Sequence, residues 1–172
     1  MAEKNKIYYG EYTLKHWIDL ILTGNIILPD YQRVFVWDKE NSKSLVEALF
    51  ENQFVPPITI GRYIDEGETQ NIILDGQQRL TSILLSYLNL FPPKCQDKSI
   101  NPYFINDNDD DDDDENVFID WDFKRLLKLI NSNSLRDQTK IHNEAKTAGY
   151  EDMYDENGSN DISRFEECYL GF

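Results

Sequence analysis

The sequence predicts an α+β domain in which a small mixed sheet with flanking helices is followed by a helical extension. Three observations carry this. Apolar residues recur at helical spacing within residues 13–24, 40–52 and 77–90. Two β-rich runs, Ile58 to Ile64 and Gln70 to Leu74, flank the turn signal Asp65-Glu66-Gly67-Glu68 and read as a hairpin. The 172-residue chain is 40% hydrophobic and 13% aromatic, enough to bury a core, which excludes a wholly disordered chain.

Each element has a local reason. Thr13 is a capping residue, and Leu14, Trp17, Ile18 and Ile21 share one face of the first helix. Gly24 stands where a left-handed helix terminator belongs. Ile26-Ile27-Leu28 is a short strand ended by Pro29. Asp38 or Asn41 caps the second helix, with Leu45, Ala48, Leu49 and Phe50 expected on its buried side, and Pro56-Pro57 stops it. The second hairpin strand runs straight through Asp75-Gly76 into the third helix, whose apolar stripe is Leu80, Ile83, Leu84, Tyr87 and Leu88. Pro92-Pro93 close it.

Composition changes after residue 93. Residues 94–116 are polar and then intensely acidic, and repulsion between adjacent carboxylates argues against a fixed fold there. Residues 117–172 resume with a strand at Val117 to Asp120 and an amphipathic helix from Trp121 to Ile130. A weakly helical polar stretch follows at 135–156, then a short helix from Ile162 to Tyr169. The chain is thus divided into a core at 1–93, an acidic insert at 94–116 and a helical extension at 117–172.

The formal charge of -15 argues at first against phosphate partners, which are held by Lys and Arg. It is unevenly spread. Residues 1–100 carry 13 acids and 10 bases, whereas residues 101–172 carry 19 acids and 7 bases. Eight of the acids are Asp107 and the run Asp109 to Glu115, which read as a solvated loop without the spacing or glycine of an EF-hand. No apolar run is long enough for a membrane span, and MAEKNKIYYG has no signal-peptide pattern. Cys95 and Cys168 lack zinc spacing, and neither His16 nor His142 has neighbours at metal-ligand spacing. A cytoplasmic protein is expected.

The segment richest in chemistry is Asn71 to Ser82, a strand, a glycine turn and a helix start in immediate succession. First-turn N–H groups of a helix lack intrahelical partners and carry partial positive charge, which suits an anion. Gly76 permits close backbone approach, and Arg79 can add a two-pronged contact to phosphate oxygens. Thr81 and Ser82 offer hydroxyls, directed either to the site or along the helix. Asp75 suits a ribose hydroxyl, a Mg2+ ion or an attacking water, or simply caps the helix. The second segment, Leu28 to Trp37, follows a strand. There Gln32 and Arg33 are candidates for base, ribose or phosphate contacts and Tyr31 for stacking, while Phe35 and Trp37 suit packing and Arg33 can pair with Asp30 or Asp38.

Leu28-Pro29-Asp30-Tyr31-Gln32-Arg33 with Trp37, then Pro57-Ile58, then Asp75-Gly76-Gln77-Gln78-Arg79-Leu80-Thr81-Ser82 stand in a fixed order. The chain in this respect resembles the N-terminal domain of GmrSD-type modification-dependent restriction endonucleases, clearly over residues 12–93 and more weakly over 117–172. The resemblance implies a ParB/sulfiredoxin-like fold that binds nucleoside triphosphate, with Mg2+, and hydrolyses it in a phage-defence system sensing modified DNA. Carried across, Gly76, Gln77, Gln78 and Arg79 form the phosphate site, to which the hydroxyl of Thr81 is a candidate addition, and Gln32 and Arg33 face Asp75 from the earlier motif. Asp75 and Gln78 orient the attacking water, and Asp75 is the metal-associated group. Longer relatives add an HNH nuclease domain, and this chain has no such motif, so it is expected to be truncated relative to them. The expected partners are a nucleotide, DNA through a partner domain or subunit, and a second homologous or heterologous subunit, with no membrane. Two other readings stay open: a DNA endonuclease in its own right, and a non-catalytic split subunit.

Overall fold

The computed structural model describes residues 7–27, 35–65, 68–95, 118–119, 138–155 and 161–172. In chain order these form β1 (Glu11–Thr13), α1 (Leu14–Leu22), α2 (Lys39–Phe50), β2 (Thr59–Asp65), β3 (Glu68–Asp75), α3 (Gln77–Leu88), β4 (Lys94–Cys95), β5 (Phe118–Ile119), α4 (Gln138–Thr147), α5 (Arg164–Glu167) and β6 (Tyr169–Gly171). The architecture is mixed α and β. The expected helix from Trp121 to Ile130 and the acidic run lie outside the described residues.

Local chemistry explains the helix boundaries. The Thr13 side chain accepts from the His16 N–H at 3.1 Å and starts α1. Asp38 accepts from the Asn41 N–H at 2.7 Å and starts α2. Such caps satisfy first-turn donors that have no carbonyl partner. Gly24, at φ +72°, takes the left-handed position just past α1.

The strands pair antiparallel as β1 with β6, β2 with β3 and β4 with β5. The β2–β3 hairpin pairs Asp65 with Glu68 at its turn end and Thr59 with Asp75 at the other, with an irregularity between Thr59 and Ile60. Ile27 lies on the far side of β3 as a single parallel bridge to Ile72. Its N–H donates to the Asn71 carbonyl at 2.8 Å, and its carbonyl accepts from Ile73 at 3.1 Å. The short strand expected at Ile26 to Leu28 is therefore one bridge within the described residues, and it makes the pairing around β3 mixed.

One hydrophobic cluster joins the front and back of the sequence. Leu14, Trp17, Ile18 and Ile21 of α1 meet Ile58, Ile73, the buried side chains of α3, and Ile141, Met153, Phe165 and Leu170. The Trp17 indole N–H donates to the Leu170 carbonyl at 3.0 Å, and Phe172 stacks on Tyr12 with ring centres 4.6 Å apart. The apolar stretch Cys168 to Phe172 is docked against the domain, one of the two readings its apolar character allows, and Tyr169–Gly171 within it is a strand where the sequence put Tyr169 at the end of a helix.

Two expectations about buried faces need correction. On α2 Leu49 is buried as expected and Leu45 and Phe50 pack half-buried against the core, but Ser42 and Val46 are buried as well and Ala48 is only half-buried. The face is rotated because Ser42 turns inward, where its hydroxyl accepts from that of Ser82 at 3.1 Å. On α3 burial is not a stripe but nearly all round, taking in Leu80 to Ser86 and Leu88. That pattern belongs to a helix enclosed by neighbouring elements.

Candidate functional site

The end of β3 and the start of α3 form the site. Asp75 closes the hairpin opposite Thr59, Gly76 turns the chain, and the Leu80 N–H donating to the Gly76 carbonyl at 3.0 Å makes the first helical bond. Gly76 has φ +97° and ψ 12°, a region open to glycine at little cost. A β-carbon there would stand 2.4 Å from Ile58 Cδ1, 3.0 Å from Arg79 Nη2 and 3.3 Å from Arg79 Nε. The space beside Gly76 is thus filled by the protein itself, which requires glycine independently of any ligand.

Arg79 folds back over that glycine. Its Nη2 donates to Asp75 Oδ2 at 2.8 Å and to the Pro57 carbonyl at 3.1 Å, tying the ends of β3 and the β2 approach to the helix start. The arginine side chain is 15% exposed and the Asp75 side chain 72% exposed. Arg79 Nε and Gln77 Oε1 are buried without a hydrogen-bond partner among the described residues. Gly76, the N-cap of α3, provides no side-chain cap, and the Asp75 carboxylate bonds to the guanidinium.

Gln78 links the two segments that the sequence singled out. Its Oε1 accepts from the Val36 N–H at 2.9 Å, bringing the 35–37 segment onto the first turn of α3. Beside it Phe35 is buried and meets Phe91 edge-on at 6.3 Å. Tyr31, Gln32 and Arg33 lie outside the described residues. Of the others, Asp75, Gly76 and Arg79 are brought into direct contact, with Gln77 and Gln78 on the adjoining turn. Thr81 stands apart from that contact: it is 1% exposed, and its hydroxyl has no partner among the described residues.

The Gln78–Val36 and Arg79–Pro57 contacts escaped sequence reasoning, since both join a side chain to a backbone group more than 20 residues away. A second polar cluster was also missed. His142 Nε2 lies 2.5 Å from Asp152 Oδ1, and Lys146 donates to Asp152 Oδ2. The hydrogen bond from Lys146, supported by that from His142, holds the Asp152 carboxyl below the usual carboxylate range against the opposing effect of burial. Burial pushes the Tyr154 hydroxyl up against the opposing influence of Ser86, and pushes the Cys168 thiol up as well. No group of three or more His, Cys, Asp or Glu among the described residues is arranged to hold a metal ion. No helix among them is long and apolar enough to cross a membrane.

What the site can do chemically follows from these parts. A guanidinium and the positive end of a twelve-residue helix face the same turn, a pairing that favours an anion with several oxygens. An exposed carboxylate beside them can receive a cation that accompanies such an anion.

Comparison with known proteins accords with the sequence motifs. The family model of the GmrSD restriction endonuclease N-terminal domain matches residues 14–172, nearly the whole chain. The chain is also similar to the uncharacterized protein MJ0686 of Methanocaldococcus jannaschii, with 33% identity over 119 residues, covering 55% of this chain. It spans only 20% of the length of that relative. No solved structure matches it.

Proposed function

The chain belongs to the family of GmrSD restriction endonuclease N-terminal domains, and from that premise we propose that it is a nucleotide-binding regulatory module of a restriction system acting on modified DNA. The observation that carries the proposal is the folding of Arg79 over Gly76 at the start of α3. The buried Arg79 Nε, a donor without a partner among the described residues, suits an anionic acceptor at this turn. In this reading Arg79, with the backbone of Gly76, Gln77 and Gln78, binds the phosphates of a nucleoside triphosphate.

Asp75 is the residue to hold an accompanying Mg2+, whose role when bound is to offset phosphate charge. Gln78 keeps the 35–37 segment against the helix, and the family resemblance adds Gln32 and Arg33 as further phosphate contacts and Tyr31 as the stacking residue. Hydrolysis of the triphosphate requires positioning and electrostatics more than covalent chemistry, and Asp75 and Gln78 are the groups for orienting water. The ParB/sulfiredoxin-like fold is part of the same proposal, supported by the strand, glycine turn and helix of the site. DNA contact, and any cleavage, is assigned to a partner domain or subunit.

The test is calorimetric titration of each of the four ribonucleoside triphosphates with Mg2+ into the folded protein and into Arg79→Ala. Binding of at least one nucleotide, lost in the variant, is expected. Absence of binding by well-folded wild-type protein with all four would sink the proposal.

A further inference from the structure

We infer that Asp75 is a built-in competitor of the phosphate ligand: its carboxylate occupies Arg79 until an incoming phosphate takes over the guanidinium. The inference rests on the phosphate-site reading above and adds to it how the site is regulated.

The two contacts of Arg79 Nη2 differ in kind. The bond to the Pro57 carbonyl, together with packing against Gly76, fixes the guanidinium within the protein. The bond to Asp75 Oδ2 reaches a carboxylate that stands mostly in water. An anion arriving from solvent therefore meets Asp75 first, and it needs the same donors. Asp75 is also held at the backbone, as the β3 residue opposite Thr59, so its side chain can swing away without disturbing the hairpin. An ion pair with one partner this exposed is weak, which makes the contact easily exchanged. A polyphosphate offers more negative charge and more acceptor oxygens than one carboxylate and displaces it. A divalent cation arriving with the phosphate then finds the released carboxylate, so binding without the cation is penalised by Asp75 and binding with it is not.

The experiment uses inorganic tripolyphosphate as the probe, titrated calorimetrically into wild-type, Asp75→Asn, Arg79→Ala, Arg79→Lys and Glu166→Gln protein. Folding of each is checked by circular dichroism and thermal melting. In magnesium-free buffer Asp75→Asn is expected to bind about fivefold tighter than wild type, the effect of removing one mostly solvated charge near the anion. Glu166→Gln, which removes an exposed acid on α5, is expected to match wild type. Adding Mg2+ is expected to erase the advantage of Asp75→Asn. Equal or weaker binding by Asp75→Asn, with loss of binding in Arg79→Ala, overturns the competition and leaves the site standing. If Arg79→Ala does not fold, Arg79→Lys replaces it in that comparison. Unchanged binding in the arginine variants, or none by wild type, overturns the site and the competition together.

Discussion

Replacing Gly76 with alanine tests whether the turn ahead of α3 is as tightly constructed as described. Two costs add. At φ +97° an L-residue is strained, by roughly 1–2 kcal/mol. The new methyl also lies 2.4 Å from Ile58 Cδ1, and forcing a methyl into filled space costs about 1–3 kcal/mol. The total, about 2–5 kcal/mol, is a large share of the ~5–15 kcal/mol stability of a typical domain. Gly24→Ala supplies the control: φ is +72° but nothing lies within 4 Å of the added carbon, so only the strain is expected. Urea denaturation of both variants separates the two contributions by subtraction. A further variant, Ile58→Val, removes the Cδ1 atom at fault, so Gly76→Ala should cost less in that background by at least about 0.5 kcal/mol. Equal losses for Gly76→Ala and Gly24→Ala, or no coupling to Ile58→Val, would refute the reasoning.

Three other predictions come from different parts of the molecule. Trp17→Phe leaves the buried Leu170 carbonyl without its 3.0 Å donor and should destabilise by about 1–3 kcal/mol, measured by urea midpoint at constant slope; a change within 0.5 kcal/mol would count against the bond. Ser42→Ala and Ser82→Ala each break the buried hydroxyl pair between α2 and α3, so the double variant should lose less than the sum of the singles in a thermodynamic cycle. The Asp152 carboxyl has a lowered folded pKa, so its contribution is present above the unfolded value of 3.8 and is lost as pH falls through the folded value. The stability advantage of wild type over Asp152→Asn should accordingly be constant at neutral pH and shrink below about pH 4; an advantage that persists to pH 2 would contradict the ion cluster.

Much of this was legible in the residues because the signals are local. Thr13 and Asp38 cap within three residues, and the Asp65-to-Glu68 turn pairs neighbours in sequence. The family was legible through the Asp75-to-Arg79 signature, a short contiguous motif. What was not legible depends on long-range packing. The rotation of α2 follows from Ser42 meeting Ser82, a polar pair that no apolar periodicity reveals. β6 is three residues long, and Tyr169 to Gly171 become a strand only because β1 lies alongside. At the site, sequence reasoning placed Asp75, Gly76 and Arg79 together but gave glycine the role of admitting phosphate. The neighbours of Gly76 show an additional reason, the close packing of Ile58 and Arg79. His142, Lys146 and Asp152 meet because the chain reverses after α4, which spacing within a helix does not disclose.

The central claim is that the turn at Gly76 and the first residues of α3 receive a nucleotide's phosphates. The most direct measurement is an amide-resolved NMR titration of the protein with a magnesium nucleoside triphosphate. The account predicts the largest shifts at the backbone N–H groups of Gly76, Gln77, Gln78 and Arg79, with Val36 following through its bond to Gln78. Saturating shifts elsewhere that leave these amides unmoved would contradict it.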